Sequence, residues 1–94
     1  MHKLVVIDLT NADISRFEEY ERQAIALLQK YGARLELGFR SVDGMTETHV
    51  LYFPDTGSFD GFLSDPVRAA LQADWLLTGA VTTVSDVHGI DYLS

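Results

Sequence analysis

The sequence predicts an α+β fold with the element order β-α-β-β-α-β. Three features predict it: apolar strand-like runs near both ends, two helical stretches with clear start and stop residues, and an alternating segment followed by a turn between them.

Residues 3–9 read as a strand, because Leu4, Val5, Val6 and Ile7 are β-prone and Thr10-Asn11-Ala12-Asp13 breaks the run. Asp13 is a good cap for a helix reaching about residue 31. Along it Phe17, Tyr20, Ala24, Leu27 or Leu28, and Tyr31 recur at three- and four-residue steps. Glu18, Glu19, Glu21, Arg22 and Lys30 fall mostly off that stripe, and Gly32 is the expected stop. Residues 33–42 alternate, with Leu35, Leu37 and Phe39 on one face and Arg34, Glu36, Gly38 and Arg40 on the other. Asp43-Gly44 signals a turn, tight or opened over residues 43–46, into a strand over residues 47–53 that Pro54 ends.

Ser58 is expected to cap a short helical piece, 59–63, which Ser64-Asp65-Pro66 restarts. The restarted helix runs through Ala69, Ala70, Leu71 and Trp75 to Leu77 and stops at Gly79. Residues 81–87 form the last strand and 88–94 a tail or short edge segment. This is the split βαβ, or ferredoxin-like, arrangement. Right-handed crossovers put both helices on one face of a four-stranded antiparallel sheet.

Ninety-four residues make a single domain, 1–94. The chain has no cysteine, so disulfides and thiolate zinc sites are excluded, which is compatible with the expected cytoplasmic location. The apolar stretch near the N-terminus is too short for a signal peptide, and no run approaches the ~20 residues of a membrane span. Neither a membrane nor nucleic acid is expected as a partner: the net charge is -7, and no Lys/Arg cluster offsets it locally.

Leu4-Val5-Val6-Ile7 and Val50-Leu51-Tyr52-Phe53 are apolar on consecutive residues, so both strands carry apolar side chains on both faces. With the helices on one face, the other needs a cover, and a second copy of the chain is the expected one. The alternative is a monomer in which Arg34, Glu36, Arg40, Thr82 and Asp86 interrupt the patch.

Tyr31-Gly32-Ala33-Arg34 entering the second strand, His49-Val50-Leu51-Tyr52-Phe53-Pro54 leading to Ser58, and the restart Leu63-Ser64-Asp65-Pro66 span most of the chain in order. In these features the sequence resembles the dimeric α+β barrel superfamily and, within it, the DUF1330 family. It departs from that family in having Tyr52 where an acid usually precedes Phe-Pro, and Gly32-Ala33 where two glycines are usual. The resemblance implies a homodimer with a ligand cavity between helices and sheet. Relatives in the superfamily include antibiotic-biosynthesis-type monooxygenases, haem-degrading enzymes and muconolactone isomerases, so it implies no single reaction.

His49 is the candidate for proton transfer, since histidine alone titrates near neutrality unperturbed; the other reading is a hydrogen-bonded structural histidine. Tyr20, Tyr31 and Trp75 would line a pocket for a flat ligand, or would pack the core. Tyr52 joins them as a ligand contact. Arg34 and Arg40, read as sharing one strand face, would bind an anionic group or form ion pairs. Asp8, an acid within an apolar run, would need a partner such as Arg34 if buried. No metal-ligand spacing, phosphate loop or nucleophile motif is present, and no cofactor is expected. Three functions remain open: binding or transformation of a small organic molecule, a non-enzymatic interaction module with a filled core, and a cofactor-independent monooxygenase or isomerase.

Overall fold

The computed structural model describes residues 1–93; Ser94, at the end of the expected tail, lies outside them. Strand β1 (His2–Asp8) is followed by helix α1 (Ile14–Ala26), which tightens into a 3-10 turn at Leu27–Tyr31. A hairpin of β2 (Arg34–Arg40) and β3 (Thr46–Tyr52) comes next. Three short helices, α2 (Thr56–Leu63), α3 (Pro66–Ala70) and α4 (Gln72–Thr78), lead to β4 (Val81–Val87) and a final 3-10 turn, Asp91–Leu93. The four strands form one antiparallel sheet in the order β2-β3-β1-β4. Among the described residues no helix is long and apolar enough to cross a membrane.

The starts and stops follow local chemistry. Asp13 caps α1 by accepting from the Arg16 N–H at 3.1 Å. Gly32 takes the left-handed conformation after the 3-10 turn, as expected. The cap of α2 is Asp55 rather than Ser58: its carboxylate accepts from the Ser58 N–H at 2.7 Å, so the helix begins earlier than expected. The second helical stretch is broken at Leu71, whose N–H is shared between the Val67 and Arg68 carbonyls. Gly79 closes α4 at φ 77°, and a Cβ there would lie 2.5 Å from the Asn11 carbonyl oxygen. That approach, with the Asp13 N–H donating to the Thr78 carbonyl at 2.7 Å, docks the end of α4 on the start of α1.

The register sorts the sheet's two faces. Lys3, Val5 and Ile7 of β1 point to the helices, with Glu47, His49 and Leu51 of β3 and Thr82, Val84 and Asp86 of β4. Leu4, Val6, Val50 and Val81 point the other way. A bulge between Leu35 and Leu37 corrects the alternation expected for β2: Leu35 pairs with Leu51, but Leu37 pairs with Val50. Leu37 and Phe39 therefore face away from the helices. Arg34 and Arg40, expected together, end on opposite faces. Of the polar residues expected to interrupt the helix-free face, Arg34 and Glu36 do so, whereas Arg40, Thr82 and Asp86 face the helices.

The core is divided. Leu28, Ala33, Phe53 and Phe62 form one buried cluster, and Ile7, Leu9 and Phe17 form another. The space between them is not filled by side chains.

Candidate functional site

A cavity of about 300 Å³ occupies that space, near the lower limit for a small-molecule site. Its floor is drawn from three rows of the sheet: Leu51 and Lys3; then His49, Val5 and Val84; then Ile7 and Thr82, with Asp86 and Glu47 paired into the first and third rows without lining it. Tyr20, Glu21, Ala24 and Ile25 of α1 and Leu28 of the 3-10 turn that follows close it from above, a spacing that holds one helical face to the sheet. Phe59, Phe62, Arg68, Gln72 and Trp75 complete the wall.

Tyr20 and Trp75 meet here as expected, their ring centroids 5.0 Å apart and their planes tilted by 50°. Burial raises the Tyr20 hydroxyl above its ordinary pKa, so it stays a neutral donor.

His49 is buried in the middle row. Gly38 lies opposite it on β2, with no side chain to crowd the ring. Its Nε2 is 2.7 Å from Glu47 Oε2, and Glu47 Oε1 in turn accepts from Arg40 Nε at 2.9 Å and forms an ion pair with Nη2 at 2.8 Å. On the other side of the ring, Nδ1 lies 4.0 Å from Glu21 Oε2. A donor at Nε2 fixes the tautomer and leaves Nδ1 as the acceptor. His49 is thus both hydrogen-bonded and a cavity residue. Its two readings are compatible.

Glu21 belongs both to this cavity and to an open depression lined by Phe17, Glu18, Arg22, Ile25, Arg40 and Glu47. Burial pushes its carboxyl up to about 6, with His49 opposing that rise and Glu47 adding to it. The sign follows: stability from the protonated form is complete below the ordinary value of 4.5 and is lost as pH rises through about 6. Glu21→Gln, neutral at every pH, should flatten that loss and exceed the parent by ~1–2 kcal/mol at pH 8. Urea denaturation at pH 5 and pH 8 checks this; a variant retaining the parent's slope would refute it.

The other expected site residues lie elsewhere. Tyr31 packs edge-on to Phe62, over Gly61, where a Cβ would come within 2.9 Å of its ring, and its hydroxyl donates to Asp65. Tyr52 lies on the helix-free face with the Arg34 guanidinium 4.3 Å from its ring centroid and the His2 ring at 5.5 Å. Glu36 joins that group, 3.0 Å from both His2 and Arg34. Asp8 is exposed and accepts from the Thr10 N–H at 2.9 Å, a turn contact that needs no Arg34.

Glu21, Lys3 and Arg68 are cavity residues that sequence reasoning did not single out; nor did it single out Glu47, which does not line the cavity but holds His49. Glu47 carried a signal, since it is two residues from His49 and must share its face. Among the described residues, no three His, Cys, Asp or Glu side chains are placed to hold a metal ion.

The sequence matches no protein-family model and no curated protein. Solved structures do match. SnoaB, a cofactor-independent oxygenase from Streptomyces nogalater, superposes with a TM-score of 0.70 at 12% identity, over 95% of this chain and 94% of its own. A Nitrosomonas europaea protein assigned as an antibiotic biosynthesis monooxygenase gives 0.67 at 10%, over 93% and 98%. An uncharacterised NIPSNAP domain protein from Burkholderia xenovorans gives 0.64 at 13%, over 97% and 98%. The chain shares their ferredoxin-like α+β fold. At such identities the likeness is one of fold alone.

Proposed function

We propose that this chain binds a flat organic molecule in the cavity between helices and sheet, and that His49 takes a proton from it. One observation carries the reading: an unfilled, mostly apolar space into which a buried histidine, oriented by Glu47, presents its free nitrogen. The unfilled space also argues against an interaction module with a filled core.

An apolar cavity disfavours charge, so the developing imidazolium needs compensation. Glu47 on one nitrogen and Glu21 beside the other supply it. Removing a proton from an enolisable carbon or a phenol leaves an electron-rich anion, and such an anion can react with dioxygen without a cofactor. SnoaB, a cofactor-independent oxygenase, is an example of this fold carrying such an outcome. Tyr20 and Trp75 would hold the ring system flat.

In the same reading the chain is a single cytoplasmic domain that works as a homodimer. The three sequence features named above support kinship with the DUF1330 group.

The test uses anthrone, a tricyclic ketone with an acidic C–H, in aerated buffer, with oxygen uptake followed at an electrode. The reading expects uptake above the buffer rate, falling 10²–10⁴-fold in His49→Ala. Binding, followed by thermal shift, should change far less. Binding without turnover would reduce the protein to a carrier, and unchanged uptake in His49→Ala would remove the histidine's role.

A further inference from the structure

Lys3 is the charged residue of the cavity floor with the least evident structural purpose. Only 8% of it is exposed, although the chain as a whole is acidic and most lysines stay in water. Its ammonium lies 4.1 Å from the centroid of the Phe59 ring and donates to the Asp86 carboxylate on edge strand β4. That partner is poor cover: the Asp86 side chain is 78% exposed, so water weakens its hold on the lysine. An ammonium also carries three donors, and Asp86 uses one. Burying a cation is unfavourable unless an anion offsets it. A methionine would fill the same space at no such cost.

A second cation lies in the wall. Arg68 of α3 has its guanidinium 5.4 Å from the Phe62 ring centroid and donates from Nη1 to the Leu63 carbonyl at 3.2 Å. The cavity is therefore polarised. Lys3 sits in the row of Leu51, His49 in the next row and Glu21 in the roof, with Glu47 paired to His49 from the row beyond. One row of the ladder separates Lys3 from His49, a step of about 6.7 Å along the strands.

We propose that the cavity's ligand is an aromatic anion, its carboxylate or equivalent group held by Lys3 and its acidic proton presented to His49. This rests on the cavity-binding reading above and adds the charge and the spacing. The anion completes the neutralisation that Asp86 leaves unfinished, and the ring body spans the step between the two rows beneath Tyr20 and Trp75. A cationic ligand meets Lys3 head-on and is excluded. A neutral one leaves the ammonium's remaining donors without an anion.

Three naphthalene probes of the same shape test this on the intact chain: 2-naphthoate, 2-naphthamide and 2-naphthylmethylammonium, each titrated by calorimetry. The carboxylate is expected to bind at least tenfold more tightly than the amide, and the ammonium compound weakest of all. Lys3→Met should bring acid and amide to equal affinity, while Lys3→Arg should retain the preference. An amide equal to the acid in the parent protein overturns the proposal and leaves cavity binding standing. So does a preference that survives in Lys3→Met. Failure of all three probes to bind overturns both. Because the parent comparison needs no variant, a substitution that fails to fold does not shelter the proposal.

Discussion

Replacing Asp65 by alanine is expected to lower the melting temperature by roughly 10–20 °C, a large loss for a chain of this size. The Asp65 side chain is fully buried yet satisfied on every side. It caps α3 by accepting from the Val67 N–H at 2.8 Å, accepts from Lys30 Nζ at 2.9 Å, and accepts from the Tyr31 hydroxyl. Alanine would leave the Tyr31 hydroxyl and the Val67 N–H without their acceptor and uncouple the end of α1's 3-10 turn from α3. Thermal unfolding by circular dichroism measures the effect; a fall of less than about 4 °C would mean that water replaces the carboxylate at little cost.

The same clasp sets a pH signature. The Tyr31 hydroxyl first, then Lys30, holds the Asp65 carboxyl well below the usual carboxylate range. Its stabilisation is therefore complete above about pH 4 and is lost as pH falls below it. Tyr31 and Lys30 are both raised by their hydrogen bonds to Asp65, so their share is complete below about pH 10 and is lost as pH rises further. Asp65→Ala should flatten both limbs of the stability profile.

The second large effect concerns assembly. The proposed dimer forms through the helix-free face, where Val6 is 38% and Phe39 is 64% exposed, alongside Leu37 and Val81. Sedimentation at micromolar concentration should give twice the 10.5 kDa of one chain. Val6, on a central strand of that face, is the position to charge. Val6→Glu would set a carboxylate from each copy into the interface at a cost of roughly 4 kcal/mol or more, weakening association about a thousandfold. Folding of the single chain should change little, because that side chain already meets water. A parent protein that sediments as one chain would overturn the dimer, with Thr48, Thr83 and Ser85 then sufficient to keep the face wetted.

Much of the fold was legible because short-range chemistry decides it. Asp13, Gly32, Asp65-Pro66 and Gly79 mark helix ends by hydrogen bonding and backbone freedom that act within a few residues. Strand β4 falls at Val81–Val87, where its composition and the preceding glycine place it. His49 was legible as a cavity residue because alternation ties it to Leu51 and Phe53. Tyr20 and Trp75 were legible from helical spacing.

What escaped depends on partners distant in sequence. The bulge at Glu36 arises where β2 must fit the register of β3, and no glycine or proline announces it. It moved Arg40 to the helix side, where it holds Glu47, and left Arg34 with Tyr52 on the opposite face. Tyr31 was drawn out of the cavity by Asp65, a carboxylate 34 residues away. Glu21 looked like a solvated helix residue until α1 was laid across His49.

The sequence by itself determined the order of elements, the helix ends and which strands are apolar on both faces, because propensity, capping and alternation are local. The tertiary structure alone decided that the core splits around a cavity and that Lys3, His49 and Glu21 share it, with Glu47 held against His49. Burial and charge pairing belong to the space between elements, and that space exists only once they pack.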